Sequence, residues 1–478
     1  MSLSPLDYVV IGMYLVAITA FGSWFARYQK TTRDYFLTGR TVPWWAICFT
    51  IVATETSTLT FIGIPAQAYG GNMAFLQLAM GYIIGRVLVS VLFIPAYFRG
   101  DLFTSYELLQ RRFGTSVKTL AAVIFLITRS LADGIRLFTT ALVIAVVTQV
   151  PVTWVVIVLG AAMIVYTMRG GVSAVIWTDV VQMFVYIAGA AAIAVALLNR
   201  IPGGWAEVLS VGRETGRFAV LDLSLDVTKA YTLWAGLLGG VALTLATHGT
   251  DQFLVQRLLS ARSAREASRG LILSGFIVFA QFVLFLIIGV MLYAFYLHAP
   301  LAQPLARADQ ILPIFVVNEL SNGLAGFIVA AIVAAALSPS LNAMAATTVS
   351  DFYLPYVNPG ADQATQMRVS KQATVAWGIV QLAVAVAAQW MERSVLDAGL
   401  AVLGFASGAV LGAFLLGTLA PSVTERDTFA GMAAGLIVMT AVWWATAIAF
   451  TWYVLIGSVT TCLIALVSSR ARPAPAVA

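Results

Sequence analysis

Long apolar runs separated by short polar linkers dominate the chain. A helix needs about 20 apolar residues to cross a bilayer, and a window of that length predicts thirteen spanning helices. They cover residues 5–26, 43–70, 75–98, 117–149, 152–168, 173–198, 229–249, 270–297, 322–347, 370–391, 396–418, 426–447 and 450–469. We therefore predict an all-α membrane protein in which residues 1–478 form a single transmembrane domain.

Composition excludes several other classes of protein. Hydrophobic residues make up 60% of the chain and charged residues only 10%, against about 25% charged in soluble domains. This excludes a soluble enzyme, a secreted disulfide scaffold and a disordered chain. The net charge of +6 indicates basic loops facing anionic lipid, so the bilayer is the expected partner and nucleic acid is not.

The distribution of lysine and arginine predicts the orientation. With the N terminus outside and the C terminus in the cytoplasm, eighteen basic residues fall in cytoplasmic segments, among them Lys118 and Arg257, and six fall outside. Positive residues favour the cytoplasmic side. The sequence therefore predicts a multi-pass protein of the plasma (inner) membrane. The longest linker, 199–228, lies outside and carries matched acids and bases.

The second predicted span contains a polar interruption. Residues 54–60 read Thr-Glu-Thr-Ser-Thr-Leu-Thr, so that six of the seven are polar. Backbone leaves helical pairing at membrane depth only where it is buried in protein or lines a cavity. We interpret the stretch as a discontinuous helix whose carbonyl groups point into a site. The alternative is an unbroken helix whose hydroxyl groups bond to the preceding turn.

A second irregular region closes the seventh predicted span. Gly236, Gly239 and Gly240 loosen its first half, and a polar run from Thr244 to Asp251 follows. The two irregular helices are the second and the seventh span, so the pattern recurs after five spans. That spacing is typical of two five-helix units related by an inverted repeat, with the binding site where their first helices meet.

Six ionisable side chains lie well inside predicted spans, where charges are costly and therefore paired or functional. They are Glu55, Arg86, Arg129, Asp133, Arg136 and Asp179. Arg129, Asp133 and Arg136 share one helix face because they are four and three residues apart. They either pair with one another or present a guanidinium group to a carboxylate substrate. Arg86 either partners Glu55 or contacts the substrate.

The alanine-rich run of the ninth span ends with Ser338-Pro339-Ser340. Proline removes a backbone donor and frees a carbonyl group beside two hydroxyl groups. Hard cations bind oxygens of this kind together with a carboxylate, and Asp179 is the chemical candidate for that carboxylate. The alternative is a packing kink that binds no ion.

With these features in place, the chain resembles the sodium:solute symporter family, and the resemblance covers nearly the whole sequence. No single segment is specific, but the order and spacing of four together are. They are residues 34–40 (DYFLTGR), 170–179 (GGVSAVIWTD), 250–257 (TDQFLVQR) and 341–353 (LNAMAATTVSDFY).

The resemblance implies a LeuT-like fold and sodium as the coupling ion. Residues 1–42 would form an extra N-terminal helix and loop, 43–198 the first five-helix repeat and 229–418 the second. Residues 426–469 would form two extra C-terminal helices.

The resemblance also implies sodium ligands. Carbonyl groups of the first core helix map onto Ala53 and Thr56, and the remaining ligands come from residues 322–347. A second site in some members uses the aspartate that matches Asp179. This chain departs from the family's hydroxyl-rich segment, because it has only Ser338-Pro339-Ser340. One alignment places Ala335 among the main-site positions and Ser338 in the second site, and the other places Ser338 in the main site.

A substrate site is expected between the two irregular helices. Sugar-transporting relatives carry amide side chains where this chain has Thr244 and Leu400, which disfavours a sugar, and the buried arginines favour a small organic anion such as a carboxylate. The candidate substrate residues are Glu55, Thr58, Arg86, Arg129, Asp133, Arg136, Thr244, Thr247 and His248.

We therefore predict a sodium-coupled symporter that imports a small organic solute by alternating access, as a monomer or weak oligomer. One alternative is a proton-coupled or uncoupled carrier of the same fold. Another is a non-transporting membrane sensor. An enzyme is not expected, because with two histidines the sequence offers neither metal-ligand spacing nor a nucleophile–base grouping.

Overall fold

The computed structural model describes residues 3–100, 102–301, 305, 308–336, 340–390 and 395–471. Regular structure in these residues is helical, apart from one isolated bridge between Val42 and Ala261. The all-α prediction is therefore confirmed.

The first half of the described chain is built around long helices and short connecting ones. They are α1 (Pro5–Trp24), α2 (Thr32–Leu37), α3 (Trp44–Glu55), α4 (Thr58–Gly70), α5 (Leu76–Leu92), α6 (Ile94–Tyr97), α7 (Tyr106–Arg112), α8 (Thr115–Thr148) and α9 (Val152–Leu198).

The second half follows the same plan. Its helices are α10 (Gly204–Glu214), α11 (Gly240–Gly249), α12 (Gln252–Leu259), α13 (Ala264–His298), α14 (Ile311–Glu319), α15 (Leu324–Ala336), α16 (Leu341–Thr347), α17 (Gln363–Ala387), α18 (Val395–Leu419), α19 (Glu425–Ala445) and α20 (Tyr453–Arg470). A π-helical turn precedes α11, and another follows α16.

Length and composition mark the chain as a multi-pass membrane protein. Six described helices are long and apolar enough to cross a membrane, and the bent pair α3–α4 makes a seventh. Shorter apolar helices, such as α5 and residues 235–249, complete the bundle. The exact count of thirteen spans stays a prediction.

The hydroxyl-rich run of the second span produces a helix break. Helix α3 ends at Glu55, and Thr56 has extended backbone with ψ 97°. Ser57 then caps α4, because its hydroxyl accepts from the Thr60 N–H while the Thr60 hydroxyl accepts from the Ser57 N–H. The axes of residues 44–55 and 60–70 differ by 59°. The discontinuous helix is therefore confirmed, and its cause is a local capping motif.

The seventh span breaks later than the sequence pattern indicates. The glycines at 236–240 remain helical, as a π turn that passes into α11. The interruption lies instead at Thr250-Asp251, where the Asp251 carboxylate caps α12 by accepting from the Phe253 N–H at 2.9 Å. The predicted end of this span at residue 249 coincides with the end of α11, and beyond the break the chain continues as the buried helix α12.

Two basic residues expected in cytoplasmic segments are buried instead. Lys118 is 1% exposed and lies 3.5 Å from Asp351, which also accepts from the Thr104 hydroxyl at 3.1 Å. Arg257 on α12 is likewise buried. Both are paired with an acid, so they say little about orientation, and the remaining basic residues still carry the predicted bias.

The linker at residues 199–228 is also more ordered than a simple polar connection. It contains α10. Beyond that helix, Arg217 donates to the carbonyl oxygens of Ala68 at 3.0 Å and Gly71 at 3.1 Å. The Arg217 guanidinium also lies 3.3 Å from the centre of the Tyr293 ring. The linker therefore caps the end of α4, whose last carbonyl groups lack helical partners.

The two broken helices lie at the centre of the packing. Helix α13 packs along α3, α4 and α5, and α5 packs along α11. Helix α8 contacts α9, α17 and α18, while α18, α19 and α20 pack together. This arrangement surrounds the break between α3 and α4 with α5, α8, α11 and α13.

Gly171 separates the two predicted spans that α9 joins, and its substitution tests the packing of this kink. Its φ of 57° and ψ of −155° are strained for any residue with a side chain. A Cβ there would lie 2.6 Å from the Tyr35 carbonyl oxygen. We expect Gly171→Ala to lower the free energy of unfolding by about 1–3 kcal/mol, measured by thermal unfolding of the purified protein. Gly12→Ala in α1 is the control, because a Cβ there meets nothing within 4 Å. Equal stability of the two variants would contradict the prediction.

Candidate substrate cavity and ion-binding region

A cavity of about 190 Å³ lies beside the break between α3 and α4. Its walls come from α3, α4, α5, α8, α11, α12 and α13. Seven of the nine predicted substrate residues line it: Glu55, Arg129, Asp133, Arg136, Thr244, Thr247 and His248. Apolar walls are supplied by Ile64, Phe75, Tyr82, Ala132, Leu243, Phe253, Leu254 and Phe282.

Glu55 forms one wall of the cavity together with His248. The His248 Nε2 atom is 3.0 Å from a Glu55 carboxylate oxygen, and the other oxygen pairs with Arg86. Arg86 is fully buried behind Glu55, and its Nε donates to the Ser274 hydroxyl at 3.1 Å. Of the two roles predicted for Arg86, the structure therefore supports the partner of Glu55, and Arg86 does not line the cavity.

Arg129 joins the two halves of the site. Its guanidinium pairs with Asp251 at the break between α11 and α12, and lies 3.5 Å from Asp133 one turn along α8. The guanidinium also lies 4.7 Å from the centre of the Phe253 ring. The charge of Arg129 is thus shared between two carboxylates, so its main contacts are with the protein.

Arg136 lies one turn beyond Asp133 on α8 and lines the cavity. Its Nη1 donates to the Thr54 carbonyl oxygen over 3.5 Å, next to the break in the first core helix. Because three residues along a helix bring side chains to one face, Asp133 and Arg136 present opposite charges side by side. The polar part of the cavity therefore has both an acid and a base.

Thr58 lies away from the cavity. Its hydroxyl donates to the Ile332 carbonyl oxygen of α15 at 3.2 Å and accepts from the Thr140 hydroxyl at 2.8 Å. Thr58 therefore links the start of α4 to α8 and α15. Its predicted contact with substrate has no support in this geometry.

The break leaves carbonyl oxygens at the predicted ion site. Among the described residues, no hydrogen bond reaches the carbonyl oxygen of Ala53 or of Thr56. The Thr56 side chain is held in place, since its hydroxyl donates to Val52 O at 2.8 Å and accepts from the Gln281 amide at 2.7 Å. Such carbonyl oxygens suit a hard cation.

The helix that should complete the ion site is described only in part. Ser338 lies outside the described residues, as does the side chain of Ala335. Ser340 is buried, and its hydroxyl accepts from the Gln381 amide at 3.1 Å. The assignment of these three residues to sodium stays a prediction.

Asp179 lies in a buried network with Arg257. The Arg257 Nη2 donates to the Asp179 carboxylate at 3.1 Å, and the Thr50 hydroxyl donates to the same oxygen at 2.6 Å. The side chains of Asp179 and Arg257 are 0% and 1% exposed. The structure thus places the Arg257 guanidinium next to Asp179, the predicted ligand of the second sodium site.

Sequence reasoning missed three residues that build the site: Asp251, Arg257 and Gln281. Asp251 and Arg257 follow the predicted end of a span, so they were assigned to a loop. The pattern Thr-Asp before an apolar run is a helix N-cap signal and could have located α12. No sequence signal distinguishes Gln281 from other polar residues on α13.

A family model described as the sodium:solute symporter family matches residues 35–435. The chain belongs to that family. The human sodium/iodide cotransporter is 30% identical over 446 residues, which are 90% of this chain and 68% of that protein. The sodium/sialic acid symporter NanT of Aliivibrio fischeri is 30% identical over 470 residues, covering 96% of this chain and 91% of that one.

A solved structure agrees with the fold of this symporter. It is a substrate-bound, outward-open state of a Na⁺-coupled sialic acid symporter, with a TM-score of 0.92, 27% identity and 98% of each chain covered. The LeuT-like inverted-repeat fold is therefore confirmed. Family and fold together establish a sodium-coupled symporter of a small solute, with sodium as the coupling ion, and not an enzyme.

Proposed function

We propose that this symporter imports a small organic anion whose carboxylate contacts Arg136. The observation that carries the proposal is the placement of Arg136 on the cavity wall beside the helix break. Arg129 already pairs with Asp133 and Asp251, which leaves its guanidinium engaged with the protein. Guanidinium groups bind carboxylates through paired, charge-assisted hydrogen bonds. Two relatives named for anions, iodide and sialic acid, support this class of solute.

We assign the coupling sodium to the carbonyl oxygens of Ala53 and Thr56, with further ligands from the segment that contains Ala335 and Ser338. A second ion would use Asp179 with a hydroxyl group of that segment, either Ser338 or Ser340. Sodium at the first position would join the end of α3 to α15. On the other side of the break, at the start of α4, the Thr58 hydroxyl already contacts the Ile332 carbonyl group of α15.

Coupling then follows from differential affinity. Sodium that bridges the broken helix and α15 favours the conformation that binds substrate well, so each ligand raises the affinity for the other. One charge that moves through 100 mV supplies about 2.3 kcal/mol. One sodium ion and an anion of one negative charge together move no net charge, so only the sodium concentration gradient drives their accumulation. A second sodium ion would add the membrane potential to the driving force.

We further propose an orientation with the N terminus outside and the C terminus in the cytoplasm, and a symporter that works as a monomer or weak oligomer. The proposed repeats are residues 43–198 and 229–418, flanked by 1–42 and 426–469. The excess of basic residues on one set of linkers supports the orientation.

Substitution of Arg136 tests the proposed substrate contact. We expect Arg136→Ala to lower sodium-driven uptake of organic anions into proteoliposomes by about tenfold or more, since a charge-assisted bond contributes about 1.5–3 kcal/mol. Arg136→Lys should recover only part of the affinity, because lysine cannot form the paired bonds. The readout is uptake of lactate, propionate and sialic acid with and without a sodium gradient.

Arg213→Ala is the matched control, because Arg213 is exposed on α10 and far along the chain from the cavity. Unchanged uptake of every anion by both Arg136 variants would overturn the proposed contact. Uptake that ignores the sodium gradient in the unmodified protein would overturn the assignment of the ion sites.

A further inference from the structure

We infer that Asp133 recognises a hydrogen-bond donor on the substrate, so that the preferred anion carries a hydroxyl or ammonium group on the carbon next to its carboxylate. The inference rests on the proposed function, in which Arg136 binds that carboxylate. It adds the chemistry of the neighbouring group and names Asp133 as the residue that determines specificity.

The Asp133 side chain is buried at the cavity wall, and one of its carboxylate oxygens accepts no hydrogen bond from the described residues. It is 9% exposed, and Oδ1 lies 3.5 Å from Arg129 Nη1. No described group donates a hydrogen bond to Oδ2, which is buried at the wall that the side chain lines. A carboxylate accepts bonds at both oxygens, so Oδ2 is an acceptor without a donor among the described residues, on a side chain that lines the cavity.

Burying an acceptor without a donor is unfavourable, and more so for a charged group. The Arg129 charge does not remove this cost, because Arg129 also pairs with Asp251 and contacts Oδ1 only over 3.5 Å. Across the cavity, the hydroxyl of Thr244 is also buried and has no hydrogen-bond partner among the described residues. Two polar groups that line the cavity and have no hydrogen-bond partner among the described residues indicate a ligand with its own polar groups beyond the carboxylate.

The spacing of Asp133 and Arg136 limits where the donor sits. Side chains three apart on a helix have Cβ atoms about 5–6 Å apart. In a 2-hydroxy or 2-amino acid, the donor atom and the carboxyl carbon are about 2.5 Å apart by ordinary bond lengths. Hydrogen bonds of normal length to both side chains then span the remaining distance. A donor farther along the substrate would lie beyond Asp133 when the carboxylate is on Arg136.

Pairs of acids that differ only in this donor test the inference. Sodium-dependent uptake by proteoliposomes is measured for lactate and alanine against propionate, and for sialic acid against its 2-deoxy derivative. A site built to bond a substrate hydroxyl or amine rejects the analogue that lacks it. We expect a preference of about tenfold or more for the donor-bearing acid in at least one pair. The alanine arm separates an ammonium from a hydroxyl donor.

Asp133→Asn is the diagnostic variant, since it keeps the size of the side chain and removes its charge. We expect it to reduce the preference to within about threefold, mainly through a higher KM for the donor-bearing acid, with propionate unchanged. Thr139→Ala on the same helix is the control, because its hydroxyl bonds only to the Ile135 carbonyl group. Thermal unfolding of each variant separates lost recognition from lost folding, and Asp133→Glu provides a second test if the asparagine variant does not fold.

Each other outcome is decisive. Sodium-driven uptake with no preference in any pair, or a preference that survives in Asp133→Asn, overturns the inference and leaves the proposed function in place. A changed number of sodium ions per transport cycle with the preference intact assigns Asp133 to a cation and also overturns it. Absence of sodium-dependent uptake for every acid overturns both this inference and the proposed function.

Discussion

Arg257→Gln is expected to lower the free energy of unfolding by about 3–5 kcal/mol, which is the cost of removing one partner of a buried ion pair. The Arg257 guanidinium is 3.1 Å from Asp179, and it also donates to Thr50 at 3.1 Å. Without Arg257, the Asp179 carboxylate must either remain charged with little compensation or bind a proton. Thermal unfolding of the detergent-purified protein measures the change.

The double variant Arg257→Gln with Asp179→Asn should recover most of the stability, since it removes both charges together. Lys229→Gln is the control. Lys229 and Asp222 form an exposed pair after α10, and the loss of such a pair should change the free energy of unfolding little. If Arg257→Gln proves as stable as Lys229→Gln, the buried pair does not exist as described. Sodium dependence measured on the double variant also tests Asp179 as an ion ligand.

Arg86→Met should be the most damaging substitution for transport, with sodium-driven uptake lowered by about a hundredfold or more and stability lowered by about 3 kcal/mol. Glu55 is the last residue of α3, where the helix dipole disfavours a negative charge. Arg86 pairs with this carboxylate and connects it to Ser274 on α13. Its loss would remove the buried positive charge beside Glu55 and leave His248 as the partner of that carboxylate at the edge of the cavity and at the helix break.

Adding Glu55→Gln to Arg86→Met should restore folding, because the negative charge of Glu55 is removed. Ser90→Ala on the same helix is the control, since the Ser90 hydroxyl bonds only to the Arg86 carbonyl group of its own helix. Normal uptake and stability in Arg86→Met would contradict the prediction. A double variant that remains unfolded would show that Arg86 acts mainly through packing against α13.

Much of the site could be predicted from residues whose chemistry conflicts with a lipid environment. The run at 54–60 identified the first break, and the spacing of Arg129, Asp133 and Arg136 identified one face of α8. Both features follow from local rules, namely helix capping and helical periodicity. These rules act between residues a few positions apart and do not depend on tertiary packing. Seven of the nine predicted substrate residues consequently line one cavity.

The errors have a common physical origin. Arg257 and Lys118 were counted as cytoplasmic because charge alone indicates solvent, yet each has a buried acid from a distant part of the chain as its partner. Likewise, the sequence allowed Arg86 to pair with Glu55 or to contact the substrate. Only the packing of α5 near α3 shows that its partner is Glu55. The partners in the Arg86–Glu55 and Arg257–Asp179 pairs are 31 and 78 residues apart, so their pairing is set by packing and has no local signal.

By itself, the residue pattern determined a helical membrane protein with two interrupted core helices and a cluster of acids and arginines at their meeting point. These features follow from hydropathy, capping and residue spacing, which act within a few turns of helix. Only the tertiary structure decided which charges neutralise one another and which face the cavity. The reason is that α5, α8, α11 and α13 reach the break from separate parts of the chain, and a buried charge takes its role from the partner that packing places beside it.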